Sequence, residues 1–68
     1  MGYVTEQQHY EYAGYEPTIK LAQSLGWGEQ PEGATGNEFA DKDGFLDQDK
    51  ALSAAIAYIE KRGVTVTY

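Results

Sequence analysis

The sequence predicts an α+β fold in which a small antiparallel sheet of two to three strands is covered by two helices. Two observations lead to this prediction. Apolar residues recur at helical spacing in two segments, and they alternate with polar residues in two shorter ones. Because a chain of 68 residues can bury only one modest core, we expect a single domain over residues 1–68.

The first strand and the first helix are predicted in the N-terminal third of the chain. Over residues 8–13, tyrosines alternate with polar residues, which is typical of a strand that turns its tyrosines toward a core. Pro17 suits the first turn of a helix because it lacks a backbone N–H. An apolar stripe continues to Leu25, and Gly26 fits the left-handed position that ends many helices, with Trp27 folding back on it.

The second helix and the last strand are predicted in the C-terminal third. The helix has an apolar stripe made of Leu52, Ala55, Ile56 and Ile59. Asp47 or Asp49 can cap its start, and Gly63 ends it. Residues 64–68 then alternate valine with threonine and predict a short terminal strand.

A long acidic loop is predicted between the helices, over about residues 28–46, with one short edge strand near residues 37–40. This stretch is rich in glycine and poor in apolar residues. The chain has a formal charge of −6, and the acidic residues from Glu29 to Asp49 account for all of it, because the charges elsewhere cancel. Such a segment either presents carboxylates to a basic partner or keeps a loop solvated, and the pattern leaves both interpretations open.

Composition excludes several function classes. Without cysteine there is no disulfide, thiolate metal site or cysteine nucleophile. No apolar run is long enough to cross a membrane, and residues 1–9 lack the pattern of a secretory signal, so we expect a cytoplasmic protein. The negative charge argues against direct binding of nucleic acid or an anionic membrane. The single histidine, His9, has no serine near it in the sequence, so we expect no catalytic residues, no enzyme activity and no cofactor.

The run from Asp41 to Asp49 is similar to a calcium-binding loop, because several aspartates surround a glycine. With Gly44 at the invariant glycine position of an EF-hand, Asp41, Asp43 and Asp47 fall on ligand positions. Phe39, however, takes the first ligand position, and Lys50 takes the place of the closing bidentate glutamate. We therefore expect no tight metal site here, and weak calcium binding remains an alternative.

Leu25-Gly26-Trp27, followed later by Ala51 through Tyr68 (ALSAAIAYIEKRGVTVTY), resembles the closing segment of the small accessory subunits of respiratory complex I. That family has a glycine–tryptophan pair, then a helix ended by a glycine, then a final strand. The resemblance implies the same order of elements here and a non-catalytic binding role as a structural subunit of a larger complex.

Together these features favour a non-enzymatic protein-binding module, either a monomer or a homodimer. Our first hypothesis is a small acidic inhibitor or modulator, encoded by a phage or mobile element and of an anti-defence type. It would occupy a basic surface of a host protein, such as a surface that binds nucleic acid, by offering carboxylates in place of phosphates. The predicted partner-binding residues are Glu29, Glu32, Glu38, Asp41, Asp43, Asp47, Tyr3, Tyr15 and Phe39. An accessory structural subunit is the alternative, and a weak calcium-binding domain is the second alternative.

Overall fold

The computed structural model of the protein describes residues 8–33 and 38–68. Within these residues the elements follow in the order β1 (Gln8–Glu11), α1 (Tyr15–Ser24), a 3-10 turn (Pro31–Gly33), α2 (Gln48–Lys61) and β2 (Val64–Thr67). Two helices and a two-stranded sheet make the fold α+β, as the sequence predicts.

The two strands are parallel, so the predicted antiparallel sheet is wrong. Tyr10 pairs with Val66, and the Tyr12 N–H donates to the Thr67 carbonyl at 2.8 Å. The reason is the path between the strands. Each strand is joined to its neighbouring helix by a short reversal. The two helices point the same way, and their C-terminal ends lie together, where the hydroxyl of Tyr58 in α2 donates to the Leu25 carbonyl at the end of α1. Residues 25–47 carry the chain back to the start of α2, so both strands run in one direction.

Helix α1 begins after Gly14 and ends in the motif that the sequence predicts. Pro17 is the third residue of α1 rather than its first. The N–H groups of the first turn of a helix have no partner within the helix, so a proline at the third position also removes no helical hydrogen bond. Gly26 has a φ of 113°, its N–H donates to the Gln23 carbonyl, and the Trp27 N–H donates to the Ala22 carbonyl. These two bonds form a Schellman ending, which satisfies carbonyls that the helix itself leaves free.

Helix α2 begins at Asp47, which is its N-cap. The Asp47 carboxylate accepts from the N–H groups of Asp49 and Lys50, at 3.0 and 3.2 Å. The most buried positions of α2 are Ala51, Ala55 and Ile59, whereas Leu52 and Ile56 of the predicted stripe are half-buried. The buried face of α2 is therefore rotated slightly about the helix axis relative to the predicted apolar stripe. Gly63, with a φ of 93°, ends the helix.

Both helices lie on one face of the sheet and enclose the core. The buried apolar residues are Ile19, Ala22, Phe39, Ala51, Ala55, Ile59, Val64 and Val66. Tyr10 packs against this cluster from β1, as predicted, whereas Tyr12 follows the end of β1 and its ring centroid lies 5.9 Å from that of the exposed Tyr68. The Tyr10 hydroxyl lies 3.0 Å from the Thr18 hydroxyl, which in turn donates to the Gly14 carbonyl at 2.7 Å. This chain of hydrogen bonds ties β1 to the start of α1.

The segment between the helices has more local structure than an open loop, so the predicted loop over about 28–46 is not confirmed as such. It contains the 3-10 turn, and Ala40 forms an isolated antiparallel bridge with Leu46. The edge strand predicted near residues 37–40 is therefore reduced, within the described residues, to this one bridge at Ala40. The backbone of Asp41 is hydrogen-bonded to Gly44 and Phe45 in the turn between these two bridged residues.

Candidate functional site

Four carboxylates, Glu38, Asp41, Asp47 and Asp49, line two depressions at the start of α2, and Asp43 is joined to them through its N–H, which donates to the Asp41 carboxylate. We call these five residues the acidic surface. Asp49 belongs to both depressions on this surface. On one side, Asp49 lines an open groove together with Glu38, and on the other it lines a shallow depression with Asp41 and Asp47. Four of the six predicted partner-binding acids thus lie on one surface, and Asp49, which the sequence suggested only as a cap, belongs with them.

Asp41 holds the turn of the acidic surface in shape. One of its carboxylate oxygens accepts from the N–H of Asp43 at 2.8 Å and from that of Phe45 at 3.0 Å. Its backbone N–H donates to the Phe45 carbonyl, and Gly44 takes a φ of 86°, which favours glycine. Asp41 and Asp47 therefore each contribute to local structure, because each carboxylate already accepts two backbone N–H groups.

Glu38, Asp43 and Asp49 are the exposed members of the acidic surface. Lys50 lines the same groove as Glu38 and Asp49, but no ion pair joins these carboxylates to a lysine or arginine within residues 8–33 and 38–68. Their charge is therefore not neutralised by the described part of this chain. Surface carboxylates in this condition attract cations and basic side chains over about 10 Å at ordinary ionic strength.

The aromatic residue on the acidic surface is Phe45, not the predicted Phe39. Phe39 is 3% exposed and packs edge-on against Trp27, with ring centroids 5.7 Å apart, so it is a core residue and cannot anchor a partner as predicted. Phe45 is 71% exposed. The signal that identifies it was present in the sequence, because Phe45 follows the turn glycine and precedes Leu46, whose side chain packs inward.

The remaining predicted acids lie away from the acidic surface. Glu32 lines a separate hollow of about 250 Å³ with Tyr15 and Glu16. Glu29 is exposed, and its backbone carbonyl accepts from the Gln23 side chain at 2.9 Å. The acidic residues of this one segment of the sequence therefore do not all lie on one surface of the structure.

Tyr15, a predicted partner-binding residue, is half-buried, and among the described residues its buried hydroxyl oxygen has no hydrogen-bond partner. Burial, with a smaller contribution from the negative charge of Glu32, raises the pKa of the Tyr15 hydroxyl above its usual value. Tyr3, the other predicted tyrosine anchor, lies outside the described residues.

Metal binding receives no support from the arrangement of side chains. Within residues 8–33 and 38–68, no three histidine or acidic side chains lie close enough together to hold a metal ion. Asp41, Asp47 and Asp49 share the rim of a depression, but two of them already bind backbone N–H groups. In the same residues, neither helix has the length and hydrophobicity that crossing a bilayer requires.

Comparison with known proteins yields no relative: no family model, no curated protein and no solved structure matches the chain. The resemblance of the C-terminal segment to complex I accessory subunits therefore remains a prediction from its residues alone.

Proposed function

We propose that this chain is a non-enzymatic protein-binding module whose acidic surface binds a basic surface of another protein and so blocks or modulates it. The observation that carries the proposal is the exposure of Phe45 among the carboxylates of the acidic surface. Phe45 is 71% exposed, and its backbone N–H donates to the Asp41 carboxylate at 3.0 Å, so an exposed aromatic side chain follows directly on the acidic turn. Aromatic residues are enriched in protein interfaces.

The carboxylates supply the second part of the argument. Glu38, Asp43 and Asp49 are exposed and have no cationic partner among the described residues, so a partner's arginine or lysine side chains would not have to displace an existing ion pair. Charges of this kind speed association and select partners, while a buried aromatic ring supplies most of the affinity. The groove beside Glu38 has the apolar side chain of Ala54 in its lining, which suits the aliphatic part of an arginine or lysine.

A nucleic-acid-binding surface is the kind of basic surface that this arrangement fits best. Such surfaces are selected to bind closely spaced negative charges, and the acidic surface offers five carboxylates within one short stretch of chain. The proposed action is therefore that of an inhibitor that competes with nucleic acid for the same site on its partner.

The test uses a short arginine-rich peptide as the probe and compares two triple variants. Glu38→Gln, Asp43→Asn and Asp49→Asn together remove three charges from the acidic surface without touching the two aspartates that hold local structure. The matched control is Glu11→Gln, Glu16→Gln and Glu60→Gln, which removes three exposed charges elsewhere. Asp49 and Glu16 are well matched, because each lies in the first turn of its helix.

We expect the acidic-surface variant to slow association with the peptide about tenfold at low salt, and the control to change it less than about twofold. Nuclear magnetic resonance should place the largest shifts at Phe45 and Asp49. Phe45→Ala should weaken binding with little effect on the association rate. If both triple variants slow association equally, the peptide senses only the net charge of the chain, and the proposal is wrong.

The same experiment separates the proposal from the accessory-subunit alternative. A subunit that docks through apolar area binds its partner with little dependence on salt, whereas binding by the acidic surface weakens steeply as salt rises. The calcium alternative predicts that millimolar calcium raises the melting temperature of the free chain, and our proposal predicts no such rise.

A further inference from the structure

Within residues 8–33 and 38–68, no strand lies beside β2 on the side away from β1, and we call this side the open edge. In a strand, the N–H and C=O of one residue point to the same edge, and those of the next residue point to the other. The Thr67 carbonyl accepts the Tyr12 N–H, so Thr67 faces β1 and the backbone of Val66 faces away from it. Within the described part of the chain, nothing pairs with Val66 on that side, because the sheet has two strands.

The open edge of β2 lacks the features that usually prevent strand pairing. Proteins protect exposed edges with charged residues, prolines or bulges. Residues 64–68 read Val-Thr-Val-Thr-Tyr and contain none of these, while β1 carries Glu11. The final residue, Tyr68, is 85% exposed. This strand has no charged side chain in a chain with a net charge of −6, so its side chains add no repulsion toward a second acidic molecule.

An apolar flank of α2 continues the open edge. Leu52 and Ile56 are half-buried. Ile56 lies about 160° around the helix axis from Tyr58, which contacts α1, so this flank is turned away from α1. Because β1 is tied to α1 and α2 packs on β2, the flank lies on the side of the open edge. A molecule that paired with β2 would also cover Leu52 and Ile56.

We propose that a second copy of this chain occupies the open edge, with the two β2 strands antiparallel about a two-fold axis. Val66 would face Val66 of the partner, each exchanging both backbone hydrogen bonds with the other, in a four-stranded sheet. The charges on α2 favour this orientation. Asp47 and Asp49 lie at its start and Lys61 and Arg62 at its end, so two antiparallel α2 helices place the acidic end of each near the basic end of the other.

A parallel arrangement would bring like charges together and would not close about a two-fold axis. The inference goes beyond the proposed function and does not depend on it, because dimerisation is measured without any partner.

The first test uses the unmodified chain. Sedimentation equilibrium should give a reversible monomer–dimer equilibrium, and hydrogen exchange should show the Val66 amide protected at high protein concentration and unprotected on dilution. A monomer at every concentration, or a trimer or fibre, would overturn the inference. Protection of Val66 that does not change with concentration would also overturn it, because the edge would then be covered within one chain.

The second test is a matched pair of variants on α2. Leu52→Lys places a charge on the apolar flank, and we expect it to raise the dimer dissociation constant at least about tenfold. Ala57→Lys adds the same charge at an exposed position of α2 turned well away from Leu52, and it should leave the dimer intact. Circular dichroism confirms that both variants fold. A dimer that tolerates Leu52→Lys as well as Ala57→Lys uses a different surface, and the inference is then wrong.

Discussion

The framework of β1, α1, α2 and β2 and the described parts of the segment between its helices, residues 28–33 and 38–47, which we call the connecting segment, are ordered in different ways. The framework is ordered by burial, since Ala22, Ala51, Ala55 and Ile59 are completely buried. In the connecting segment, polar side chains bind their own backbone, as Asp41 does in its turn and Asp47 at the start of α2. The connecting segment adds Phe39 to the core and carries most of the net charge of the chain at positions that are not buried, so substitutions in the two regions should have different consequences.

The largest difference should appear between Ile59→Ala in the framework and Phe45→Ala in the connecting segment. Ile59 is fully buried, so truncating it loses apolar contacts and leaves a cavity, and we expect the free energy of unfolding to fall by about 3 kcal/mol. Phe45→Ala should change it by less than about 0.5 kcal/mol. Urea unfolding followed by circular dichroism measures both. Equal losses would mean that Phe45 is not exposed in solution.

The next largest effect is expected for Gly26→Ala at the end of α1. Gly26 has a φ of 113°, and a Cβ there would lie 2.8 Å from the Tyr58 hydroxyl, which binds the Leu25 carbonyl. We expect a loss of about 2 kcal/mol from backbone strain and the lost hydrogen bond. Gly63→Ala is the control. Its φ of 93° is also strained, but the added carbon meets nothing within 4 Å, so its loss should be nearer about 1 kcal/mol. A melting temperature for Gly26→Ala above that of Gly63→Ala would contradict this account.

A smaller effect is expected where the connecting segment meets the framework, at Asp47. Asp47→Ala removes the acceptor for two backbone N–H groups at the start of α2 and should cost about 1 kcal/mol. Asp49→Ala removes a charge of the same sign two residues later and should cost only about 0.3 kcal/mol through the helix dipole. Thermal unfolding of the two variants side by side measures the difference between their losses in stability. Equal losses would mean that the Asp47 cap does not stabilise α2.

The framework was predictable from sequence because its signals are local. Two glycines that end helices, an aspartate cap and apolar residues at helical spacing each determine structure over a few neighbours, and Gly26, Gly63 and Asp47 behave as predicted. The direction of the strands was not predictable in this way. It depends on where residues 25–47 lead the chain, and a glycine-rich polar segment gives no local indication of that path.

The candidate site was predictable in charge but not in geometry. The acidic residues were identified by counting, yet counting could not show that Glu32 lies beside Tyr15 while Asp49 joins Glu38 and Asp41. Phe39 and Phe45 were indistinguishable by hydrophobicity. Tertiary packing against Trp27 buries the first, and the turn at Gly44 exposes the second.

Two tyrosines of the framework sharpen the comparison further, since one hydroxyl is satisfied and the other is not. The Thr18 hydroxyl uses its proton on the Gly14 carbonyl, so Tyr10 must be the donor to Thr18. Tyr10→Phe should therefore cost about 1 kcal/mol. Among the described residues, the buried Tyr15 hydroxyl oxygen has no hydrogen-bond partner, so Tyr15→Phe should leave the free energy of unfolding unchanged or raise it by up to about 1 kcal/mol. A substantial loss on Tyr15→Phe would mean that a water or another residue binds that hydroxyl.

The smallest effect is expected where Glu32 of the connecting segment reaches Tyr15 of the framework. Burial first and Glu32 second raise the pKa of Tyr15 above the value near 10 of an unfolded tyrosine. The unfolded chain therefore loses this proton first, so the free energy of unfolding is unaffected below about pH 10 and falls as the pH rises above it. Urea titrations on either side of pH 10 should show a steeper fall in the unmodified chain than in Tyr15→Phe, with Glu32→Gln in between. Because Glu32→Gln removes only the charge, a slope equal to that of the unmodified chain would show that burial alone shifts the pKa.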